Sequence, residues 1–169
     1  VGTWLLTNLL LPSMGLREKS RIINTSSLTS KMGRVDDEFF KLDPERYRRF
    51  KAYPNSKLAL LMFTIELARR LEGRRITVNV VDPGVVNTGM ITMHRWYDPL
   101  ADLFFRPFIK SPERGAATAI LLATSERYAG VTGGFFKGKR QVKYPKIALD
   151  GEACRNLWLQ TERLLRDLK

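Results

Sequence analysis

The order of apolar segments along the chain constrains its fold more than any other feature. Two short β-branched runs, "SRIINTSS" at 20–27 and "RITVNVVDPG" at 75–84, are typical of buried strands that open into a loop. The run "GGFFKG" at 133–138 fits a third strand. Because helical periods lie between these runs, the sequence predicts an α/β fold with a doubly wound parallel sheet that is covered on both faces.

Two helical segments flank the first strand. Residues 1–14 are typical of the last turns of an apolar helix, which we expect to end near Pro12. A second helical period covers residues 53–71. Its second residue is Pro54, and a proline deeper inside a helix would clash with the preceding turn. We therefore expect this helix to begin close to Tyr53.

The rest of the chain predicts two more helices and a long loop. Ser111 and Pro112 form a strong N-cap and first-position pair for one helix. Residues 150–169 fit a closing amphipathic helix, in which the single cysteine, Cys154, suits packing better than chemistry. Residues 30–51 are polar and charged without a clean period, which predicts a long loop with one helical turn at most.

Composition excludes several classes of protein. With 169 residues and an apolar fraction of 44%, the chain can bury the core of one domain. One cysteine forms no internal disulfide, and no apolar run reaches the roughly 18 residues of a membrane span. No nucleic-acid-binding motif accompanies the net charge of +12, so we expect no nucleic acid partner. Peripheral contact with anionic lipid stays possible, because basic residues gather in 45–51, 69–75 and 136–146 and because 97–110 is an apolar stretch.

In "KAYPNSKLA", Tyr53 and Lys57 stand one helical turn apart. Taken alone, such a pair more often belongs to a solvated helix face. A phenol has an ordinary pKa near 10, however, and a cation held close lowers that pKa by favouring the phenolate. Ser27 follows the preceding strand with a hydroxyl that can bond to the same substrate oxygen. Because ligands of parallel sheets bind beyond the carboxyl ends of the strands, these residues predict a proton-transfer site for a carbinol or carbonyl group.

Taken in order, "NTSS", "YPNSK" and "ITVNVVDPGVVNT" resemble the second half of a short-chain dehydrogenase/reductase. The Tyr-x-x-x-Lys pattern alone is weak, whereas its combination with a strand-end Ser-Ser and Pro-Gly-x-x-x-Thr is specific. The segments "GTWLLTNLLLP", "SKLALLMFTIELARRL" and "SPERGAATAILLA" are similar to the retinol dehydrogenase-like branch. The resemblance covers nearly the whole chain and implies a Rossmann-like sheet.

This resemblance implies a role for each matching residue. Tyr53 would be the general acid/base, Lys57 would lower its pKa and hold the nicotinamide ribose, and Ser27 would orient the substrate oxygen. The implied activity is hydride transfer between NADP(H) and a lipophilic alcohol or carbonyl compound such as retinol or retinal. NAD(H) is left open as the cofactor. Besides Tyr53 and Lys57, the cofactor would contact the loop after the second strand, at Pro83, Gly84, Val86 and Thr88.

Residues 89–110 are rich in methionine and aromatic side chains. The resemblance makes them the segment that covers the substrate, and plain core packing is an equal alternative. The side chains concerned are Met90, Met93, Trp96, Phe104 and Phe105. His94 is the single histidine of the chain, so it predicts a lid or surface residue and no metal site.

Part of the family's pattern has no counterpart here. The sequence contains no Gly-rich dinucleotide turn, and Val1 stands inside an apolar helix without an initiator methionine. We therefore expect residues 1–169 to be the C-terminal half of one Rossmann-like domain, whose dinucleotide-binding part and any targeting signal lie outside this chain. The chain alone would then be inactive.

Two alternatives stay open. The substrate could be a lipophilic alcohol or carbonyl compound other than a retinoid. The chain could also be a truncated, non-catalytic family member that acts through protein or membrane-surface contacts. We expect an intracellular protein on the cytoplasmic side, with membrane association and a homo-oligomer both left open.

Overall fold

Four strands form one sheet in the computed structural model of the chain, which describes residues 1–15, 19–36, 39–41, 45, 47–86 and 110–166. Strand β1 is Ser20–Thr25, β2 is Ile76–Asp82, β3 is Phe135–Lys137 and β4 is Arg140–Gln141. The first three strands lie side by side in this order and are parallel. The predicted parallel sheet is therefore confirmed for the three strands that the sequence indicated.

The sequence patterns do not predict β4, which is antiparallel to β3. Lys137 pairs with Arg140 and Phe136 pairs with Gln141 across a tight turn. Gly138 has a φ of +60° in this turn, a backbone conformation that glycine adopts without strain. Because both residues of β4 are exposed, the strand lacks the apolar alternation by which short strands are recognised.

Four α-helices cover the sheet in the part of the chain that the structure describes. They are α1 (Gly2–Met14), α2 (Arg49–Arg70), α3 (Pro112–Thr124) and α4 (Gly151–Arg166). Short 3₁₀ helices at Leu28–Met32, Glu126–Tyr128 and Lys146–Leu149 lie in the connections. As predicted, Ser111 caps α3, and its side chain accepts a hydrogen bond from the Arg114 amide at 3.4 Å. Within the described ranges, no helix has both the length and the apolar composition needed to cross a bilayer.

The helices cover both faces of the sheet. On one face, Leu61 of α2 and Leu157 of α4 pack in a core around Val80 of β2. On the other face, Leu122 of α3 packs in a core with Val81. Neighbouring strand residues point to opposite faces, so Val80 and Val81 belong to different cores. The doubly wound arrangement that the sequence predicts is confirmed.

Cys154 packs in the core between α2 and α4, in agreement with the sequence analysis. The residue is 1% exposed, and its thiol donates a hydrogen bond to the Ala148 carbonyl at 3.3 Å. Burial raises the pKa of the Cys154 thiol to about 11. The thiol therefore stays protonated at neutral pH and contributes packing.

Helix α2 begins at Arg49, so the expected start close to Tyr53 is wrong. Pro54 lies inside the helix, beyond its first turn, with a buried side chain. The missing Pro54 N–H would have bonded to the carbonyl of Phe50, a residue that is 82% exposed, which leaves that carbonyl near solvent. The Pro54 backbone also lies against Gly33, and this contact helps to hold the helix in place.

Candidate active site

The carboxyl ends of β1 and β2 lie side by side, and the predicted site residues follow them. Thr25 is paired with Val81, and the Ser26 amide donates a hydrogen bond to the Val81 carbonyl at 2.8 Å. Ser27 and Pro83 come directly after these paired positions. Since loops that follow parallel strands leave the sheet at the same edge, Ser27 and the Pro83 turn lie at one edge.

Lys57 fastens helix α2 to this edge. Its Nζ donates a hydrogen bond to the Thr25 carbonyl at 3.0 Å, and the Ser26 hydroxyl donates to the Lys57 carbonyl at 2.9 Å. The same ammonium group lies 5.6 Å from the centroid of the Tyr53 ring. The structure therefore brings Tyr53 and Lys57 together at the carboxyl end of β1.

Partial burial changes the electrostatics of Lys57. Desolvation disfavours the charged ammonium, so the pKa of Lys57 lies below its ordinary value of 10.5. An ammonium group has more hydrogens to donate than its single bond to the Thr25 carbonyl uses. Lys57 therefore keeps hydrogens for a further acceptor while its side chain stays anchored.

Tyr53 is accessible from solvent, with 37% of the residue exposed. Its backbone carbonyl accepts a hydrogen bond from the Ser56 hydroxyl at 2.7 Å. Because α2 begins before Tyr53, the turn between Tyr53 and Lys57 is regular helix, which fixes their spacing. A phenol that exchanges a proton with a bound substrate needs this access.

Ser27 begins the loop after β1 and is the N-cap of the 3₁₀ helix Leu28–Met32. Its Oγ accepts hydrogen bonds from the Thr29 amide at 3.3 Å and from the Thr29 hydroxyl at 3.1 Å. Both bonds use the Ser27 oxygen as an acceptor, and neither uses the Ser27 hydroxyl proton. That proton remains available to a substrate oxygen.

The loop that carries Ser27 packs directly on helix α2. A β-carbon built on Gly33 would lie 2.5 Å from the Pro54 carbonyl oxygen, so only glycine allows this approach. The Arg34 amide donates a hydrogen bond to Oδ1 of Asn55 at 2.8 Å. The Ser27 loop and the helix that carries the catalytic tyrosine candidate therefore lie on the same side of the sheet.

Two charged residues that the sequence motifs do not indicate hold the turn after β2. Oδ1 of Asp82 accepts a hydrogen bond from the Gly84 amide at 3.1 Å, and Nζ of Lys110 donates one to the Pro83 carbonyl at 3.1 Å. A carboxylate at the end of an apolar strand is the signal that could have marked Asp82. Lys110 gives no such signal in the sequence. Its contact with the Pro83 carbonyl depends on the bridge that brings Lys110 next to Val86, and this bridge is a tertiary contact.

Part of the expected site lies outside the described residues. Val86 is described and partly buried, whereas Thr88 falls outside the described ranges. The residues expected to cover the substrate also fall outside them, as does His94: Met90, Met93, Trp96, Phe104 and Phe105.

The two main cavities of the described structure do not coincide with the candidate site. A groove of about 780 Å³ lies at the opposite, amino ends of β1 and β2, where Lys19, Arg74 and Arg75 line it. A cavity of about 330 Å³ between α1, α2 and α4 reaches Lys57 but not Tyr53. In the described part of the chain, no group of three His, Cys, Asp or Glu residues could hold a metal ion. The candidate site is therefore identified by its proton-transfer groups.

A family model decides which family the chain belongs to. The model of the short chain dehydrogenases matches residues 1–96, which is more than half of the 169 residues. The chain belongs to the short-chain dehydrogenase family. The matched part of this short-chain dehydrogenase contains the candidate site residues Ser27, Tyr53, Lys57, Pro83, Gly84, Val86 and Thr88.

Curated proteins similar to this short-chain dehydrogenase include retinol dehydrogenases. The chain is 38% identical over 170 residues to retinol dehydrogenase 13 of Homo sapiens and 40% identical over 173 residues to retinol dehydrogenase 14 of Homo sapiens. These alignments cover 98% and 100% of this chain and 51% of each relative. The chain thus spans about half the length of these relatives, and it resembles the retinol dehydrogenase-like branch, as the motifs indicated.

Solved structures of other proteins share the fold of this short-chain dehydrogenase. An uncharacterised protein from Mycobacterium paratuberculosis matches with a TM-score of 0.69 at 28% identity, over 98% of this chain and 56% of that chain. The 3-oxoacyl-(acyl-carrier protein) reductase from Brucella melitensis matches with a TM-score of 0.58 at 25% identity, over 80% of this chain and 47% of that chain. The Rossmann-like α/β class is therefore confirmed.

Proposed function

We propose that this chain is part of an oxidoreductase that transfers a hydride between NADP(H) and a lipophilic alcohol or carbonyl compound. The observation that carries the proposal is the double contact of Lys57, with the end of β1 and with the ring of Tyr53. It places a cation beside an accessible phenol at the ligand-binding edge of the sheet. The names of the similar retinol dehydrogenases favour retinol or retinal as the substrate class. NADP is the proposed cofactor, and NAD is the alternative.

In the reductive direction, a proton moves from the Tyr53 hydroxyl to the substrate oxygen. When bound, NADP(H) supplies or accepts the hydride at the substrate carbon. Ser27 donates a hydrogen bond to the substrate oxygen and holds it within reach of the phenol. Lys57 stabilises the phenolate that remains after the proton has moved. Oxidation of an alcohol uses the same groups in reverse.

The turn after β2 contains the remaining residues that we assign to the cofactor. Gly84 has a φ of +78°, and a β-carbon there would lie 3.1 Å from Nζ of Lys110. Glycine therefore lets the Lys110 side chain pack closely against this turn. Together with Tyr53 and Lys57, the groups proposed to hold the cofactor are Pro83, Gly84, Val86 and Thr88.

We propose that residues 89–110 cover the substrate. Val86 and Lys110 form a parallel bridge beside the Pro83–Gly84 turn, so the chain leaves and rejoins the described structure at the carboxyl edge of the sheet. The methionine and aromatic residues in the interval suit a lipophilic substrate, since ligand pockets are lined mainly by such side chains.

The order of the motifs supports the proposal that residues 1–169 form the C-terminal part of one Rossmann-like domain.

We further propose an intracellular protein that contacts anionic lipid from the cytoplasmic side, because the net charge is +12 and basic segments recur along the chain. Co-sedimentation of the full-length protein with vesicles tests the lipid contact. We expect more binding to anionic than to neutral vesicles, and equal binding would contradict an electrostatic contribution.

The test of the proposed function replaces Tyr53 with phenylalanine in the full-length protein that contains this chain. With retinal and NADPH as probes, we expect the turnover of Tyr53→Phe to fall about a hundredfold or more, as loss of a positioned proton donor does. Its affinity for NADPH should stay close to that of the wild type, because only a hydroxyl is removed.

Tyr47→Phe is the matched control. Tyr47 is 63% exposed and makes no contact with Lys57 among the described residues, so this variant should keep the wild-type turnover. If Tyr53→Phe kept more than about a tenth of the wild-type turnover, the acid/base role would be wrong.

A non-catalytic family member that acts through protein or membrane-surface contacts is the second candidate. The observation that favours it is an apolar face of α1, where Leu6, Leu9 and Leu10 are exposed by 60%, 67% and 49%. A full-length protein that neither binds NADPH nor reduces lipophilic aldehydes would favour this candidate over the oxidoreductase.

A further inference from the structure

The peptide group between Pro83 and Gly84 is held at both ends by opposite charges. Its carbonyl oxygen accepts a hydrogen bond from Nζ of Lys110 at 3.1 Å. Its N–H donates a hydrogen bond to Oδ1 of Asp82, also at 3.1 Å. Hydrogen bonds that involve a charged group are generally stronger than those between neutral groups, and here two such bonds orient one peptide plane.

The backbone of Gly84 explains why this peptide group needs to be oriented. Its φ of +78° matches the third residue of a type II turn, for which about +80° is typical. Type I and type II turns differ in the orientation of their middle peptide group, and glycine accepts either one. Rotation of the peptide would turn the Pro83 carbonyl toward the Asp82 carboxylate and the N–H toward the Lys110 ammonium. Both charges therefore oppose the rotation.

Asp82 is a buried carboxylate of which one oxygen lacks a hydrogen bond among the described residues. The residue is 2% exposed, and its Oδ2 atom is buried without a hydrogen-bond partner among the described residues. Nζ of Lys137 lies 3.9 Å from Oδ2, which is within ion-pair distance but too far for a hydrogen bond. Burial of a charge with so few partners costs stability, and such a group calls for a specific reason. The hydrogen bond to the Gly84 amide supplies that reason.

Lys110 contacts the same turn through its backbone as well as its side chain. Its amide donates a hydrogen bond to the Val85 carbonyl at 2.8 Å, and it bridges to Val86. Its methylene groups cover Gly84, where a β-carbon would lie 3.3 Å from Cε. Loss of the ammonium alone would leave these other contacts, so the charge can be tested separately from the packing.

We propose that Asp82 and Lys110 are positioning residues that lock the Pro83–Gly84 peptide in one orientation and so preorganise the edge of the cofactor site. This inference rests on the proposed function, because it assigns the turn to the cofactor. Neither residue acts on the reacting atoms, and both act through Gly84. Preorganisation lowers the free-energy cost of binding, so their loss should weaken cofactor binding more than it slows the chemical step.

The test measures Gly84 and the cofactor separately in the full-length protein. In Asp82→Ala, without cofactor, we expect NMR to show amide hydrogen exchange of Gly84 that is about tenfold faster or more. In Asp82→Ala and in Lys110→Met, the dissociation constant for NADPH should rise about tenfold, while kcat with retinal changes by less than about threefold. Lys110→Arg keeps a charged donor and should restore NADPH binding to within about threefold of the wild type.

Lys139→Met is the matched control, because Lys139 is an exposed lysine in the turn between β3 and β4. Its NADPH binding and Gly84 exchange should equal those of the wild type. If Asp82→Ala does not fold, Asp82→Asn replaces it and should show smaller changes in the same direction.

Gly84 exchange and NADPH binding that stay within about twofold of the wild type in both charge variants would overturn the proposal. A wild-type protein that does not bind NADPH would refute the proposed function instead. In that case Gly84 exchange alone decides: faster exchange in Asp82→Ala supports the locked peptide, and unchanged exchange overturns it.

Discussion

Lys57 is the residue on which the proposed chemistry depends most. The sequence predicted its closeness to Tyr53, because a spacing of one helical turn fixes that relation before any tertiary contact is known. The sequence could not predict the hydrogen bond from Lys57 to the Thr25 carbonyl, since it depends on how α2 docks on the end of β1. This anchor keeps the ammonium beside the phenol, and it also buries part of the charge.

Lys57→Met should therefore abolish turnover in a protein that still folds. We expect kcat with retinal to fall about a hundredfold or more, because Tyr53 loses the cation that favours its phenolate. The pKa of Lys57 is lower in the folded protein than its ordinary 10.5, so the unfolded chain binds more protons between the two values. The free energy of unfolding of the wild type should then rise with pH as it approaches 10.5, and that of Lys57→Met should rise less.

Urea denaturation of both proteins near neutral pH and at about pH 9.5 measures this difference. An equal rise with pH in the wild type and in Lys57→Met would contradict the burial of the charge. A variant that is strongly destabilised at neutral pH would show instead that the hydrogen bond to Thr25 outweighs the cost of burial.

Helix α2 shows which parts of an element the sequence predicts. Its helical period identified the inward face: of its apolar positions, Leu58, Leu61, Met62 and Leu71 are buried and Ile65 is partly buried. Its start was wrong because the sequence shows the cost of Pro54 but not the contacts that offset it. The close approach of Gly33 to Pro54 joins two elements and leaves no signal in either one.

The approach of Gly33 to α2 should be sensitive to a single methyl group. In Gly33→Ala, the new β-carbon would lie 2.5 Å from the Pro54 carbonyl oxygen, so the loop has to move away from the helix. We expect the free energy of unfolding to fall by about 1–3 kcal/mol, as for other overpacked contacts. Turnover should fall too, because the same loop carries Ser27.

Gly151→Ala is the control for Gly33→Ala. A β-carbon on Gly151 meets no atom within 4 Å, so its free energy of unfolding should change by less than about 0.5 kcal/mol. Urea denaturation compares the two variants. If Gly33→Ala were as stable as Gly151→Ala, the Ser27 loop would not be packed on α2 as described.

For the molecule as a whole, the sequence predicted the layers of the fold and the motifs better than the contacts between distant segments. The three parallel strands and the helices on both faces are confirmed, because periodicity and burial are local properties of the chain. The pairing of Lys110 with Pro83 joins distant residues, and no pattern within either segment predicts it. The roles of Ser27, Tyr53 and Lys57 stay predictions, and Thr88 lies outside the described residues.

Expressed by itself, the 169-residue chain should not bind a dinucleotide well. In the described part of the sheet, β1 is the edge strand, which leaves backbone N–H and C=O groups unpaired on one side. The sequence has no Gly-rich turn, and most pyrophosphate affinity comes from such a turn at a helix N-terminus. We expect isothermal titration with NADPH or NADH to show no binding tighter than about millimolar. Micromolar binding would contradict this expectation.

Transfer of deuterium from a labelled cofactor tests the oxidoreductase proposal most directly. The full-length protein that contains this chain is incubated with retinal and with NADPH that carries deuterium at the pro-R or the pro-S position of C4. We expect one of the two labelled forms to give retinol with deuterium on its carbinol carbon, detected by mass spectrometry. In Tyr53→Phe, the rate at which this labelled retinol forms should fall by about a hundredfold or more. Retinol without deuterium from both labelled forms, or no retinol at all, would contradict hydride transfer by this protein.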